Sequence, residues 1–190
     1  MKSIASFAIC LLFSITAIAQ TKTNVTQRGI VFGFSSGIAN SNLKFPTRNQ
    51  NNTNLALNWK IGYMLNPKLA LLLNGAASIY EYNLTDRKRL RDFGGIFITA
   101  QYFVSEKWWI LSGAGLGTDA PVFYDLKAEN KIETKYYTGF GAIATIGHEF
   151  YRKKNFIMDL QARINYSNVN LPIGKTNGLT TAMLLGINFY

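Results

Sequence analysis

The chain has 190 residues, enough for one domain of ordinary size. Its single cysteine, Cys10, lies in an N-terminal segment that reads as removable, so the mature chain has no disulfide, no thiolate metal site and no cysteine nucleophile. The formal charge is +10, or +9 without Lys2, but the basic residues gather in turns and loops. For an exported chain the acidic neighbours are lipid phosphates rather than nucleic acid.

The first residues carry the export reading. Lys2 is followed by an apolar run over 4–18 and by Ala17-Ile18-Ala19 before Gln20. A basic start, a short apolar stretch and an A-x-A site make a secretory signal peptide, residues 1–19, with cleavage expected after Ala19. The run is shorter than the roughly 20 apolar residues a transmembrane helix needs. Hydrophobic residues make up 48% of the chain and charged residues only 16%, yet no later run approaches helix-spanning length. The apolar content is instead spread by alternation, and helical spacing is weak throughout residues 20–190.

Strands follow in order. Residues 30–39 form the first, and an Asn-dense stretch over 41–53 with Pro46 reads as a polar loop. In the second, over 55–65, Leu55, Leu57, Trp59, Ile61, Tyr63 and Leu65 alternate with Ala56, Asn58, Lys60, Gly62 and Met64. Asn66-Pro67-Lys68 is a tight turn. A third strand covers 69–82, a charged loop 83–91 and a fourth strand 93–104. After the short turn Ser105-Glu106-Lys107 comes a fifth strand over 108–117, whose glycines share a parity with Trp109 and Leu111 and leave its faces unassigned. A long loop over 118–133 leads to the clearest hairpin, 136–150 and 156–166, joined by Arg152-Lys153-Lys154-Asn155. In its second arm Phe156, Met158, Leu160, Ala162, Ile164 and Tyr166 share one parity, while Ile157, Asp159, Gln161, Arg163, Asn165 and Ser167 share the other. Successive strand side chains point to opposite faces, so each arm has one apolar and one polar face. A loop over 168–177 precedes the last strand, 179–190.

The pattern predicts an all-β fold: a closed antiparallel up-and-down transmembrane β-barrel of about eight strands, closure removing the exposed edges. Connections alternate long and short, which puts the tight turns and both mature termini at one end and the long loops at the other. A soluble barrel with an apolar interior would alternate in the same way. Its outer face, however, would carry dense Lys and Glu, whereas the polar face here is mostly Gly, Ala, Ser, Thr, Asn and Gln. Small neutral residues suit the crowded lumen of a narrow barrel, with the apolar face toward lipid. Aromatics sort into two bands, as membrane-interface girdles do. Tyr63, Tyr102, Trp108, Trp109, Phe150, Tyr151, Phe156, Phe189 and Tyr190 lie by the short turns, and Tyr80, Tyr82, Phe123, Tyr124, Tyr136, Tyr137 and Tyr166 by the long loops.

With its signal peptide, alternating strands and terminal Gly186-Ile187-Asn188-Phe189-Tyr190, the chain resembles the small outer-membrane β-barrels of the OmpA/OmpX-like superfamily over residues 20–190. The ending is similar to the aromatic-terminated strand read by the barrel assembly machinery, except that Tyr190 follows Phe189 and either could face lipid. The resemblance implies residence in the outer membrane of a Gram-negative-type bacterium and contact with outer-membrane lipids and lipopolysaccharide. No peptidoglycan-binding domain follows the barrel, so cell-wall anchoring is not implied.

Some barrels of this shape act on lipid A as serine hydrolases, which need a His with a Ser and a carboxylate. The one histidine, His148, has no serine near it in sequence and falls at the short-turn end, so it reads as an interfacial residue. Lys60, Glu149, Asp159 and Arg163 are expected in the lumen, with Arg163 paired to Asp159 or Glu149, because buried charges need partners. Arg87, Lys88, Arg89 and Arg91 are candidates for contact with lipopolysaccharide phosphates. No cofactor or metal signature appears. The reading is a structural or surface-interaction barrel, not an enzyme, with at most a narrow pore. A small-solute porin-like channel is the alternative, and a lipid A-modifying barrel enzyme the third.

Overall fold

A computed structural model describes residues 29–82, 89–122, 135–172 and 174–190. The expected signal peptide and the loop residues Arg87, Lys88, Phe123 and Tyr124 lie outside the described residues. The elements are β1 (Gly29–Lys44), β2 (Asn49–Asn66), β3 (Leu69–Tyr82), β4 (Arg89–Phe103), β5 (Trp108–Pro121), β6 (Tyr137–Lys153), β7 (Phe156–Leu171) and β8 (Gly174–Phe189). Each strand pairs antiparallel with the next, and β1 closes on β8 from Phe32↔Phe189 to Lys44↔Asn177. Closure matters in hydrocarbon, where each unpaired backbone group costs several kcal/mol. No helix among the described residues is long and apolar enough to cross a membrane.

The alternation resolves as one apolar outer wall. Phe32, Phe34, Ile38, Trp59, Ile61, Leu71, Leu73, Ile98, Ile146, Leu160, Ile164, Leu185 and Ile187 are all exposed on the outside. Facing water, such a continuous band would be an aggregation liability; facing lipid, it is the ordinary outer surface of a membrane barrel. The fifth strand now has its faces: Trp109, Leu111 and Asp119 are buried inside, while Trp108, Ile110 and Leu116 face out.

Two expected loops are strand. The Asn-rich stretch after Ala39 continues β1 to Lys44 and resumes as β2 at Asn49, paired from Asn40↔Thr53 to Lys44↔Asn49. The turn between them is closed by the Phe45 N–H donating to the Arg48 carbonyl at 2.9 Å. Likewise β7 and β8 stay paired to Leu171↔Gly174. Asn is depleted in strands because it bonds its own backbone in turns. Here it lines a ladder instead: Asn40 Nδ2 donates to Asn51 Oδ1 at 2.7 Å and Thr53 Oγ1 at 2.9 Å.

The aromatic bands also need correction. Tyr63, Trp108, Phe150, Tyr151 and Phe189 face out at the short-turn end, and Tyr136 and Tyr166 at the other. Trp109, Tyr190 and Tyr80 instead turn inward and are buried. The C-terminal pair thus divides its roles: Phe189 is 44% exposed toward lipid and Tyr190 only 9% exposed. Tyr137 is partly buried against the inner cluster of Leu43, Phe45, Tyr80, Phe93, Val169 and Leu171.

Candidate functional site

The chemistry-bearing side chains converge in the lumen, in three levels. At the short-turn end Asp159 is the centre. Its carboxylate accepts from Trp109 Nε1 at 3.1 Å, Gln161 Nε2 at 2.8 Å and Asn188 Nδ2 at 2.8 Å. Lys60 Nζ lies 4.3 Å from the centroid of the Trp109 ring and donates to Gln101 Oε1 at 2.9 Å. Gln101 Nε2 passes the chain on to Tyr190 OH at 2.9 Å. Cation and carboxylate therefore share the Trp109 ring rather than touching, each held further by amides of its own, and five strands are tied together.

Two glycines make this level possible. A Cβ at Gly147 would fall within the Trp109 indole, and one at Gly186 would meet the Asp159 carboxylate. Glu149 sits directly opposite Asp159 in the β6–β7 register, a like-charge pairing that is unfavourable if unanswered. A bulge between Glu149 and Tyr151 answers it. On a regular strand residues three apart face opposite sides, but the extra residue re-phases β6 so that Arg152, opposite the buried Ile157, pairs with the Glu149 carboxylate.

In the middle, Phe97 fills the lumen against β6, where a Cβ at Gly141 would lie 2.8 Å from its ring. Arg163 reaches across the barrel from β7. Its Nη1 donates to the Leu57 carbonyl at 3.0 Å and its Nη2 to Ser78 Oγ at 3.1 Å. This differs from the expected pairing with Asp159 or Glu149. Asp159 lies four residues along the same strand, about 13 Å at strand rise, so the guanidinium meets the opposite wall first. Arg163 Nε, Asn74 Oδ1 and both side-chain polar atoms of Asn165 have no hydrogen-bond partner among the described residues.

At the long-loop end Arg91, Asp119 and Tyr80, on three successive strands, form a buried triad beside the inner cluster. Arg91 Nε meets Asp119 Oδ1 at 2.6 Å, and Tyr80 OH donates to Oδ2 at 2.7 Å. Arg91 Nη2 donates to the carbonyls of Asp119 and Lys135, each at 3.1 Å. Arg91 and Asp119 are 3% and 0% exposed. The position expected to face lipopolysaccharide therefore faces the lumen, because its parity on β4 matches Phe93 and Phe97 rather than Ile96 and Ile98. Of the remaining basic residues in that group, Arg89 begins β4, and Arg87 and Lys88 lie outside the described residues.

Lys60, Glu149, Asp159 and Arg163 thus all lie buried inside the barrel. Sequence reasoning missed Asp119, which it placed in a loop, Trp109, whose strand faces it left unassigned, and Tyr80 and Tyr190, which it grouped with the interface aromatics; Gln101 carries the polar parity of its strand. His148 is half-buried on the outer wall, its ring 4.6 Å from that of Trp108. Among the described residues no group of three His, Cys, Asp or Glu side chains could hold a metal ion.

No family model matches the chain, and no curated protein matches it. Solved structures do. Ail, the attachment invasion locus protein of Yersinia pestis, determined with the heparin analogue sucrose octasulfate, has a TM-score of 0.52 at 20% identity, with 86% of this chain and 100% of that chain covered. Neisserial surface protein A has a TM-score of 0.57 at 16% identity, with 83% of this chain and 96% of that chain covered. The fold is that of a small outer-membrane barrel. At such identities the likeness is one of fold, and the lumen and rim chemistry must be argued from this chain's own residues.

Proposed function

We propose that the chain is an outer-membrane barrel with a structural or surface-interaction role, and that its lumen does not serve as an open pore. One observation carries this: the lumen is filled at both ends by interlocked polar and aromatic side chains, with an apolar wall outside. The Lys60–Gln101–Tyr190 chain crosses the space a solute would need at the short-turn end, and at the long-loop end the cluster of Leu43, Phe45, Tyr80, Phe93, Val169 and Leu171 fills it beside the Arg91–Asp119–Tyr80 triad. A narrow water-lined path has some support from the unpartnered atoms of Asn165 and Arg163 at mid-height, and is the second reading.

A hydrolase reading is not supported. His148 packs against an outer tryptophan, and among the described residues no serine or carboxylate bonds to it. Surface interaction belongs to the long-loop end, where Arg87, Lys88 and Arg89 are the proposed contacts to lipopolysaccharide phosphates. Insertion through the barrel assembly machinery is proposed on the lipid-facing Phe189 of the final strand.

Planar-bilayer recording tests the reading. The folded protein, verified by a heat-dependent gel shift, is expected to give no porin-sized conductance steps. Frequent large steps in wild-type protein would favour the channel. Lipid A that changes mass on incubation with the protein would favour the enzyme.

A further inference from the structure

The basic turns at the short-turn end are not accounted for by a filled lumen. Lys107, Lys153 and Lys154 are all exposed there. Two turns are built together: the Glu149 N–H donates to the Lys107 carbonyl at 2.8 Å, and Arg152 Nη2 reaches the Glu106 carbonyl at 3.4 Å. Arg152 is engaged with Glu149, so the exposed lysines keep only the Glu106 carboxylate as a nearby counter-charge within the two turns.

The bulge that turns Arg152 inward has a second effect. It places Lys153, opposite Phe156 in the register, on the lipid side of the wall with Tyr151. There Tyr151, Phe156 and Phe189 form a chain of edge-on rings, 6.1 and 5.6 Å between centroids. On the adjoining strand pair Trp108, 47% exposed, packs at a tilt against His148 directly after Lys107. Rings of this kind settle at headgroup depth, and a lysine beside them reaches the phosphate layer with its stem over apolar surface. Each basic group near an anionic surface adds its own attraction to it.

We propose that this rim, Lys107, Lys153 and Lys154 set beside Trp108, His148 and Tyr151, is a binding site for the headgroup of an anionic phospholipid in the leaflet at the short-turn end. The inference rests on the membrane reading above. It assigns to the bulge in β6 a role in lipid selection as well as in charge pairing.

Spin-labelled phosphatidylglycerol and phosphatidylcholine, compared in vesicles containing both lipids in both leaflets, make the test independent of insertion direction. Wild-type protein is expected to select the anionic lipid several-fold over the zwitterionic one in its boundary layer. The K107Q/K153Q/K154Q variant should fall close to parity, and K44Q/K175Q, altered at the other end, should keep most of the preference. No preference in the wild type, or equal losses in both variants, would overturn the site. A heat-dependent gel shift in phosphatidylcholine alone separates that result from failure of the membrane reading: a protein that folds there without selectivity has lost only the rim site.

Discussion

The two ends of the lumen handle buried charge differently. At the long-loop end Arg91 and Asp119 touch directly at 2.6 Å and Tyr80 completes the carboxylate's bonding. At the short-turn end Lys60 and Asp159 are both buried, yet they meet only through Trp109, with Gln101 and Tyr190 on the lysine's side and Gln161 and Asn188 on the carboxylate's. A direct pair concentrates its energy in two residues of adjoining strands. A distributed network spreads it over β2, β4, β5, β7 and β8, so that no single removal leaves a bare charge. The first arrangement should be brittle and the second forgiving.

Mutations can break that contrast. Arg91→Met leaves the Asp119 carboxylate buried without its cation and should cost about 3–5 kcal/mol. Urea unfolding from lipid vesicles, followed by tryptophan fluorescence, reads it. Asp119→Leu added to the same chain should recover most of the loss; a double variant as unstable as the single one would show that the pair is not the unit. Trp109→Phe removes one of three donors to Asp159 and should cost about 1.5–3 kcal/mol, the range for a hydrogen bond to a charged group.

Gly147→Val acts on the same level by packing rather than polarity. It must displace the indole and should cost about 1–3 kcal/mol, with a change in near-ultraviolet circular dichroism that Trp109→Phe alone would also show. Arg163→Met is the smallest, about 1 kcal/mol, because only carbonyl and hydroxyl partners lose a donor and no carboxylate is stranded. If Arg163→Met proved as damaging as Arg91→Met, the distinction between charges held by carboxylates and charges held by neutral dipoles would fail.

Much of the barrel was legible because period-two alternation survives wherever one face meets lipid. Residues 55–65 and 156–166 show it with a single large apolar residue each, Met64 and Ile157, on the inner parity. It was lost where both faces are polar: the Asn-rich continuations of β1 and β2 read as loop, since strand propensity reflects burial and neighbours more than backbone preference. The Trp109 side escaped because Gly113, Gly115 and Gly117 give β5 no contrast between faces. The partner of Arg163 escaped for a different reason. Contacts across a lumen depend on strand stagger and closure, which no local spacing encodes. Glu149 with Arg152 shows the same limit on a smaller scale, for a single bulged residue reverses the parity on which any such reading depends.

The central claim is that the apolar parity of each strand faces lipid and the polar parity faces a filled lumen. A spin-label scan along β7, one cysteine at a time from Met158 to Ser167 in lipid bilayers, tests it most directly. Oxygen accessibility should rise at Leu160, Ala162 and Ile164 and fall at Gln161, Arg163 and Asn165, with lipid-like depth at the maxima. High accessibility to a water-soluble relaxant at Gln161, Arg163 and Asn165, with Leu160 and Ile164 shielded from both probes, would contradict the claim and describe a soluble barrel with its apolar face inside.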